Sequence, residues 1–335
     1  WTGKGRVSEM GREKLGAYGA WAAVCFFWGT TYLAIRVGLE TLQPTLFAGL
    51  RFIVAGSVLF FIMSRQRNAR LPAGREWLDL GVVGLMLLGV GNGAVVWAEL
   101  WVPSGMAALL VATSPFWAAA LERMNGGDEG VGVRGLLGMA VGFGGLALLV
   151  GPQLFGAELN GKYLLGVLII QVGCFFWQAG SLYAKRRPTG VSPLMASSVQ
   201  MLWAGLVLTL GGTLAGEWGG MRFSMRSAGA LMYLVVFGSI VAYSAYMYAI
   251  QKLPLPLVST YSYVNPVVAL VLGWLVLSEP LGWREGGAAL VVLLGVAIVK
   301  TSPKELARLV SRVRRSRAAK RDAERADVAR GAACQ

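Results

Sequence analysis

The sequence predicts an all-α polytopic membrane protein with ten transmembrane helices, arranged as two inverted five-helix repeats around a central cavity, with both termini cytoplasmic. Three observations predict this class: long stretches without charge, a biased distribution of lysine and arginine, and an internal repeat. Hydrophobic residues make up 56% and charged residues 14% of the 335 residues. A soluble domain carries roughly 25% charged residues, so the composition excludes an ordinary soluble protein.

The ten spans follow from the positions of the charges. Eight stretches of 19 or more residues contain no Asp, Glu, Lys or Arg, and roughly 20 apolar residues of helix cross a bilayer core. These stretches are 15–35, 80–98, 100–121, 135–157, 163–184, 188–216, 227–251 and 253–278. Two weaker candidates, 44–64 with Arg51 inside it and 282–300, complete the set of ten.

Lysine and arginine lie mostly on one side of these spans. If the N-terminus is inside, 25 of them fall in inside loops and termini and 4 in outside loops. Because basic loops stay in the cytoplasm, both termini are predicted to be cytoplasmic. The basic N-terminus (1–15) and the basic tail (302–335) then face the cytoplasm, where the tail is a solvated topology determinant or contacts anionic headgroups. This pattern explains the net charge of +14 without nucleic acid as a partner.

An internal repeat divides the chain into halves. CFFW stands at 25–28 and again at 174–177, and matched prolines and glycines follow each copy in the same order. The repeats are predicted to cover 16–152 (spans 1–5) and 162–301 (spans 6–10). Since five is odd, the second copy enters the membrane from the opposite side. Two inverted halves around a central site are typical of secondary transporters.

Two segments carry a family resemblance: FFWGTTYLAIRVGLETLQPTLFAGLRF at 26–52 and AYMYAIQKLPLPLVSTYSYVNPVVALVLGWLVLSEPL at 245–281. They resemble the EamA domain of the drug/metabolite transporter superfamily, and within it the YddG-type bacterial exporters of aromatic and other amino acids. The resemblance implies ten helices around a central cavity, with spans 5 and 10 at the periphery. The chain departs from the pattern where Gln200 takes the place of Arg51 in the second copy, and where 121–130 lacks the LSEP string of 277–280.

Candidate binding residues are polar or aromatic side chains at helical spacing, because polar residues in a membrane helix usually face the bundle interior. We expect the following to line the cavity: Trp28, Thr31, Tyr32, Arg51, Asn92, Glu99, Gln178, Ser181, Ser239, Tyr243, Tyr246, Ser259, Ser262 and Tyr263. Each Ser or Tyr could instead bond a neighbouring helix or its own i−4 carbonyl.

Proline and glycine mark two further features. Pro115 and Pro266 lie mid-span at matched positions of the repeats, and we expect them to act as hinges. Gly135, Gly138, Gly142 and Gly145 form a small-residue stripe in span 5. The stripe lets another helix approach closely, either within the bundle or at a dimer contact, so a monomer or a dimer is compatible with it.

The residue inventory excludes several kinds of chemistry. The chain has no histidine, and its three cysteines form neither a CxxC pair nor a disulfide framework. No catalytic residues, metal ligands or cofactor are predicted, and an intramembrane hydrolase lacks its usual residues. A channel would show repeated charged rings or a carbonyl filter, and neither is apparent.

The predicted function is that of an inner-membrane transporter for a small-molecule substrate. It would export amino acids, aromatic and other neutral ones, or similar small metabolites by alternating access. Acidic residues stand near span ends and not mid-span, which favours facilitated diffusion or exchange over proton coupling. The alternative is a drug, nucleoside or nucleotide-sugar carrier of the same superfamily.

Overall fold

A computed structural model of the protein describes residues 3–67, 69–124, 161–253, 261–279 and 281–300, together with residues 137, 138, 140–145, 147, 148 and 258. Every regular element in these ranges is helical. The helices of the first half are α1 (Gly3–Gly38), α2 (Pro44–Ser64), α3 (Glu76–Ala98), α4 (Ser104–Val111) and α5 (Ser114–Met124). Those of the second half are α6 (Gly161–Arg186), α7 (Pro193–Leu214), α8 (Met225–Ile250), α9 (Tyr261–Leu277) and α10 (Trp283–Lys300).

Six of these helices are long and apolar enough to cross a membrane: α1 from Leu15 onward, α2, α3, α6, α7 and α8. Shorter apolar helices at Ser104–Ala118 and Val264–Leu277 fall on predicted spans 4 and 9. The described part of the chain is therefore all-helical, and its long apolar helices indicate a multi-pass membrane protein. Most of span 5 and the tail at 302–335 lie outside the described residues, so the ten-span count, the domain boundaries and the orientation stay predictions.

Helix starts follow local sequence signals. Pro44 and Pro193 each occupy the first turn of a helix, where the missing N–H of proline costs no hydrogen bond. Ser192 caps α7 by accepting a hydrogen bond from the Met195 N–H. Ser224 forms a capping box with Ser227 at the start of α8.

The two halves meet where α2 crosses α7. A Cβ atom added to Gly56 would lie 3.0 Å from the Leu202 nitrogen, and one added to Gly205 would lie 2.6 Å from the Ile53 nitrogen. These two glycines are a matched pair of the sequence repeat, 149 residues apart. Their close backbone approach holds α2 in place and so fixes the position of Arg51 on it.

The glycine stripe of span 5 packs inside the chain. A Cβ on Gly145 would lie 2.7 Å from the Val292 nitrogen of α10, and one on Gly295 would collide with the Gly142 backbone. The stripe was expected to serve either packing within the bundle or a dimer contact. Its described residues Gly138, Gly142 and Gly145 pack within the bundle. Gly135 lies outside the described residues.

Two kinds of irregularity interrupt the helices. Predicted span 4 is broken between Val111 and Ser114, directly before Pro115, whereas Pro266 lies inside the continuous α9. In addition, α3 and α8 each contain a π-helical segment, Leu85–Asn92 and Leu234–Val241. The two segments begin 149 residues apart, the offset that relates the CFFW strings. Such π segments inside α-helices frequently occur at functional sites.

Candidate functional site

A central cavity of about 80 Å³ lies between helices of both halves. It brings together seven of the side chains predicted from the sequence: Trp28, Thr31, Tyr32, Arg51, Asn92, Ser239 and Tyr243. Ser114, Cys174, Trp177, Tyr261 and Asn265 also line it. The cavity is smaller than the roughly 300–1,000 Å³ of small-molecule pockets, so a ligand fits only after some of its walls move.

Arg51 is the one charged residue among the described lining residues of this cavity. Its side chain is 3% exposed. The guanidinium donates from Nε to Ser239 Oγ (2.8 Å) and from Nη1 to Asn92 Oδ1 (3.4 Å), and lies 4.9 Å from the centre of the Phe52 ring. The ion pairs found in the described part of the chain do not include Arg51. It is therefore a buried cation held by neutral groups.

The two oxygen atoms that hold Arg51 come from the two π-helical segments. Asn92 ends the segment in α3, and Ser239 lies in the segment in α8. A π segment widens the helix and changes which side chains face inward. One polar residue from each half thus reaches the guanidinium, which places the charge at the junction of the two halves.

Four aromatic rings lie against one another at one end of the cavity; they are named the aromatic cluster here and consist of Trp28, Trp177, Tyr246 and Tyr261. The Trp28 ring centre lies 5.7 Å from that of Trp177 and 5.1 Å from those of Tyr246 and Tyr261. Trp28 also donates from Nε1 to the Gly238 carbonyl (3.2 Å). Trp28 and Trp177 are the tryptophans of the two CFFW strings, so equivalent positions of the repeats meet in this cluster.

A second, wider cavity of about 350 Å³ lies beyond the aromatic cluster. It is called the vestibule here, and three predicted residues, Gln178, Ser181 and Tyr246, line it. Asp79, Lys185 and Arg187 contribute charges to its lining. Because Trp28, Trp177 and Tyr261 line the central cavity while Tyr246 lines the vestibule, the aromatic cluster separates the two spaces.

Glu99 lies away from both cavities, directly after the last residue of α3. Glu99 is seven residues beyond Asn92, which corresponds to about 10 Å along the helix axis. The two residues were expected on the same face of this span, but they lie at different depths along it. The Glu99 carboxylate is fully buried, and neither oxygen has a hydrogen-bond partner among the described residues. Arg36 donates to the Glu99 backbone carbonyl, and Glu279 lies within electrostatic range of the carboxylate.

Glu279 caps the N-terminus of α4, at the same end of the molecule as Glu99. Its carboxylate accepts hydrogen bonds from the Ser104 N–H and hydroxyl (both 2.8 Å) and from the Gly105 N–H (3.2 Å). An acidic side chain at a helix N-terminus satisfies free N–H groups and offsets the helix dipole. The end of α9 is thereby fastened to the start of α4, opposite the vestibule.

On α9 the cavity-lining face differs from the predicted one. Tyr261 and Asn265 line the cavity, whereas Ser262 is buried outside its lining. Ser259 and the side chain of Tyr263 lie outside the described residues. The Asn265 amide, assigned from its neighbours, donates from Nδ2 to the carbonyls of Cys25 (3.0 Å) and Tyr261 (3.1 Å). The sequence signal for Asn265 was its position as a polar residue directly before the mid-span Pro266.

Comparison with known proteins identifies a family. The profile of the EamA-like transporter family matches residues 16–151 and 164–301. The uncharacterized inner membrane transporter YedA of Escherichia coli K12 is 38% identical over 291 residues, which cover 86% of this chain and 92% of YedA. The uncharacterized transporter YoaV of Bacillus subtilis is 22% identical over 275 residues, 82% of this chain and 93% of YoaV.

One crystal structure is similar in fold. It superposes with a TM-score of 0.61 over 84% of this chain and 95% of the other chain, at 18% sequence identity. At that identity the likeness concerns the fold alone. The fold and the family agree, and neither names a substrate.

Proposed function

This chain belongs to the EamA-like transporter family, and from that premise we propose that it exports amino acids, aromatic and other neutral ones, or similar small metabolites across the bacterial inner membrane by alternating access. A transport role, and not an enzymatic one, accounts for a cavity at the junction of two repeated halves. The relative YedA, itself described as an inner membrane transporter, supports the location.

The observation that carries the proposal is the buried guanidinium of Arg51, which forms no ion pair with the described residues and lies beside aromatic walls. A guanidinium binds a carboxylate through two parallel hydrogen bonds, and this pair is strong in a low-dielectric cavity. Trp28 and Tyr261 offer flat apolar surface for a side chain. A small molecule with one carboxylate and an apolar or aromatic body fits both features.

The orientation completes the proposal. With both termini cytoplasmic, the vestibule opens to the cytoplasm, and the capped end at Glu279 faces outward. The structure then corresponds to an inward-facing state, in which substrate reaches the vestibule and the aromatic cluster must shift before it contacts Arg51. Opening the outer end would require the hydrogen bonds between Glu279 and α4 to break.

The proposal includes facilitated diffusion or exchange as the mode of transport. Proton- and sodium-coupled carriers usually hold an acidic residue at the substrate site. The described lining of the central cavity contains no Asp or Glu. A positive cavity also disfavours cationic drugs, which belong to the alternative substrates, along with nucleosides and nucleotide sugars.

The test is counterflow by purified protein in liposomes, with a panel of all amino acids, nucleosides, one nucleotide sugar and common toxic cations. We expect labelled aromatic and neutral amino acids or related carboxylates to exchange, and cations not to exchange. Exchange confined to nucleosides, nucleotide sugars or cations would overturn the proposal. Protein-free liposomes correct for passive leakage.

A further inference from the structure

The charge balance of the central cavity has a consequence for the substrate, one that rests on the proposed function and narrows it. Arg51 contributes one positive charge, and no acidic side chain is among the described lining residues. A buried charge without a partner is unfavourable, and an anion that pairs with it removes much of that penalty. The described lining of the cavity therefore lacks one negative charge to balance Arg51.

A carboxylate alone balances this charge, whereas an amino acid does not. An amino acid is a zwitterion, so its carboxylate can pair with Arg51, but its ammonium brings a second positive charge into the same space. The complex with a zwitterion keeps a net buried charge, and the complex with a monocarboxylate is neutral. In a medium of low dielectric constant this difference is large.

Neutral oxygen atoms could accept hydrogen bonds from an ammonium, but they carry no charge to offset it, and those closest to the guanidinium already accept one hydrogen bond each. Ser239 Oγ and Asn92 Oδ1 accept hydrogen bonds from Arg51. The Gly238 carbonyl accepts from Trp28. The amide oxygen of Asn265 and the hydroxyls of the cavity lining are further neutral acceptors, but neutral acceptors replace only part of an ammonium's hydration and none of the missing negative charge.

We infer that the cavity at Arg51 selects small monocarboxylates that carry an apolar or aromatic body and no ammonium group, over the corresponding amino acids. Amino acids are then the weaker substrates of the same site. The amine that lacks a carboxylate is the weakest, since it adds a positive charge and offers nothing to the guanidinium.

Three ligands that differ only in these groups test the inference on the full-length protein. They are 3-phenylpropanoate (carboxylate only), phenylalanine (carboxylate and ammonium) and phenethylamine (ammonium only). Binding to the protein in nanodiscs at pH 7 is followed by tryptophan fluorescence, because Trp28 and Trp177 line the cavity. Empty nanodiscs correct for partition of the ligands into lipid.

The expected order of affinity is 3-phenylpropanoate, then phenylalanine, then phenethylamine, with each step at least about tenfold. Phenylalanine binding as tightly as 3-phenylpropanoate, or more tightly, would overturn the inference and leave the proposed function standing. Failure of both carboxylates to bind, with binding of phenethylamine, would overturn the inference and the proposed function together.

Substitution of Arg51 adds a second test. Arg51→Lys keeps the charge and should keep the order of affinities. Arg51→Gln removes it, so 3-phenylpropanoate should lose at least about tenfold in affinity and its advantage over phenylalanine should disappear. The matched control is Arg65→Gln, an arginine at the C-terminal end of the same helix that packs over Phe61, which should keep the wild-type order. An unchanged preference in Arg51→Gln would contradict the inference.

Discussion

At the scale of single residues, the two halves hold α8 through equivalent positions with different chemistry. Arg51 on α2 donates to Ser239, and Gln200, its counterpart 149 residues later on α7, accepts a hydrogen bond from the Tyr243 hydroxyl (2.5 Å). Ser239 and Tyr243 are one helical turn apart on α8. Among the described lining residues the charge therefore comes from the first half, which makes the candidate site asymmetric despite the repeat.

The sequence predicts those cavity residues whose polarity is unusual for their span. Arg51, Asn92 and Ser239 are of this kind, and the structure brings them together. Tyr261 and Asn265 were missed because the small and hydroxyl-bearing face of α9 was selected instead. That face packs on α4, since a Cβ added to Gly273 would lie 3.0 Å from the Ser104 hydroxyl. A helical periodicity cannot separate a packing face from a lining face.

Glu99 gives a prediction at this scale. Because its buried carboxylate lacks hydrogen-bond partners in the described part of the chain and lies outside the cavity, Glu99→Gln should leave transport unchanged. The melting temperature of this variant should equal or exceed that of the wild type. Most point substitutions instead lower the free energy of unfolding, commonly by about 1 kcal/mol. Counterflow and thermal unfolding measure the two effects.

The control is Glu40→Gln, which removes an exposed ion pair with Arg226 (3.0 Å) and should change neither quantity measurably. Loss of transport in Glu99→Gln, with the control active, would contradict the view that substrate flux is independent of this carboxylate. It would instead indicate that Glu99 carries a coupling proton.

At the scale of elements, hydropathy predicts where helices lie but not how their hydrogen bonds run. Five charge-free stretches and the weaker candidate at 44–64 coincide with the six helices that are long and apolar enough to cross a membrane. Neither the π segments at Leu85–Asn92 and Leu234–Val241 nor the break before Pro115 changes hydropathy. These details depend on packing against other helices, which a single segment does not encode.

The matched prolines give a prediction for two elements. A proline lacks the N–H that an α-helix directs to the carbonyl four residues earlier, and it therefore permits bending. If Pro115 and Pro266 are gating hinges in inverted halves, Pro115→Ala and Pro266→Ala should slow turnover and bias access toward opposite sides. Substrate affinity should stay within a few fold, since Pro115 and Pro266 are absent from the described cavity lining.

Accessibility of one cavity cysteine to reagents from each side measures this bias. The helix is broken before Pro115 but continuous through Pro266, so the two substitutions should shift access by different amounts. The two shifts should still be toward opposite sides of the membrane. Shifts toward the same side in both variants, or unchanged transport in both, would show that the prolines serve packing only.

At the scale of the whole molecule, the charge bias of 25 to 4 predicts the topology. Single cysteines engineered in the loop at 66–74 should be labelled by impermeant reagents only after cell disruption. Those placed at 217–224 should be labelled on intact cells. The native cysteines Cys25, Cys174 and Cys334 are replaced in the background, because Cys174 lines the central cavity. Labelling of 66–74 from outside would refute the predicted orientation.

Energy coupling is also a property of the whole molecule. Flux down a substrate gradient should persist in liposomes when the pH difference is collapsed, because the described cavity lining holds no acidic residue. A protonophore should leave the initial rate unchanged within error. Loss of flux on its addition would contradict facilitated diffusion or exchange.

If Arg51 binds the substrate carboxylate during transport, its substitution should change transport itself. This is measured as counterflow of a labelled carboxylate substrate in liposomes by wild type, Arg51→Lys, Arg51→Gln and Arg65→Gln. We expect Arg51→Gln to raise the half-saturating concentration at least about tenfold, whereas Arg51→Lys should retain part of the affinity and Arg65→Gln all of it. Wild-type affinity and flux in a folded Arg51→Gln protein would contradict the account.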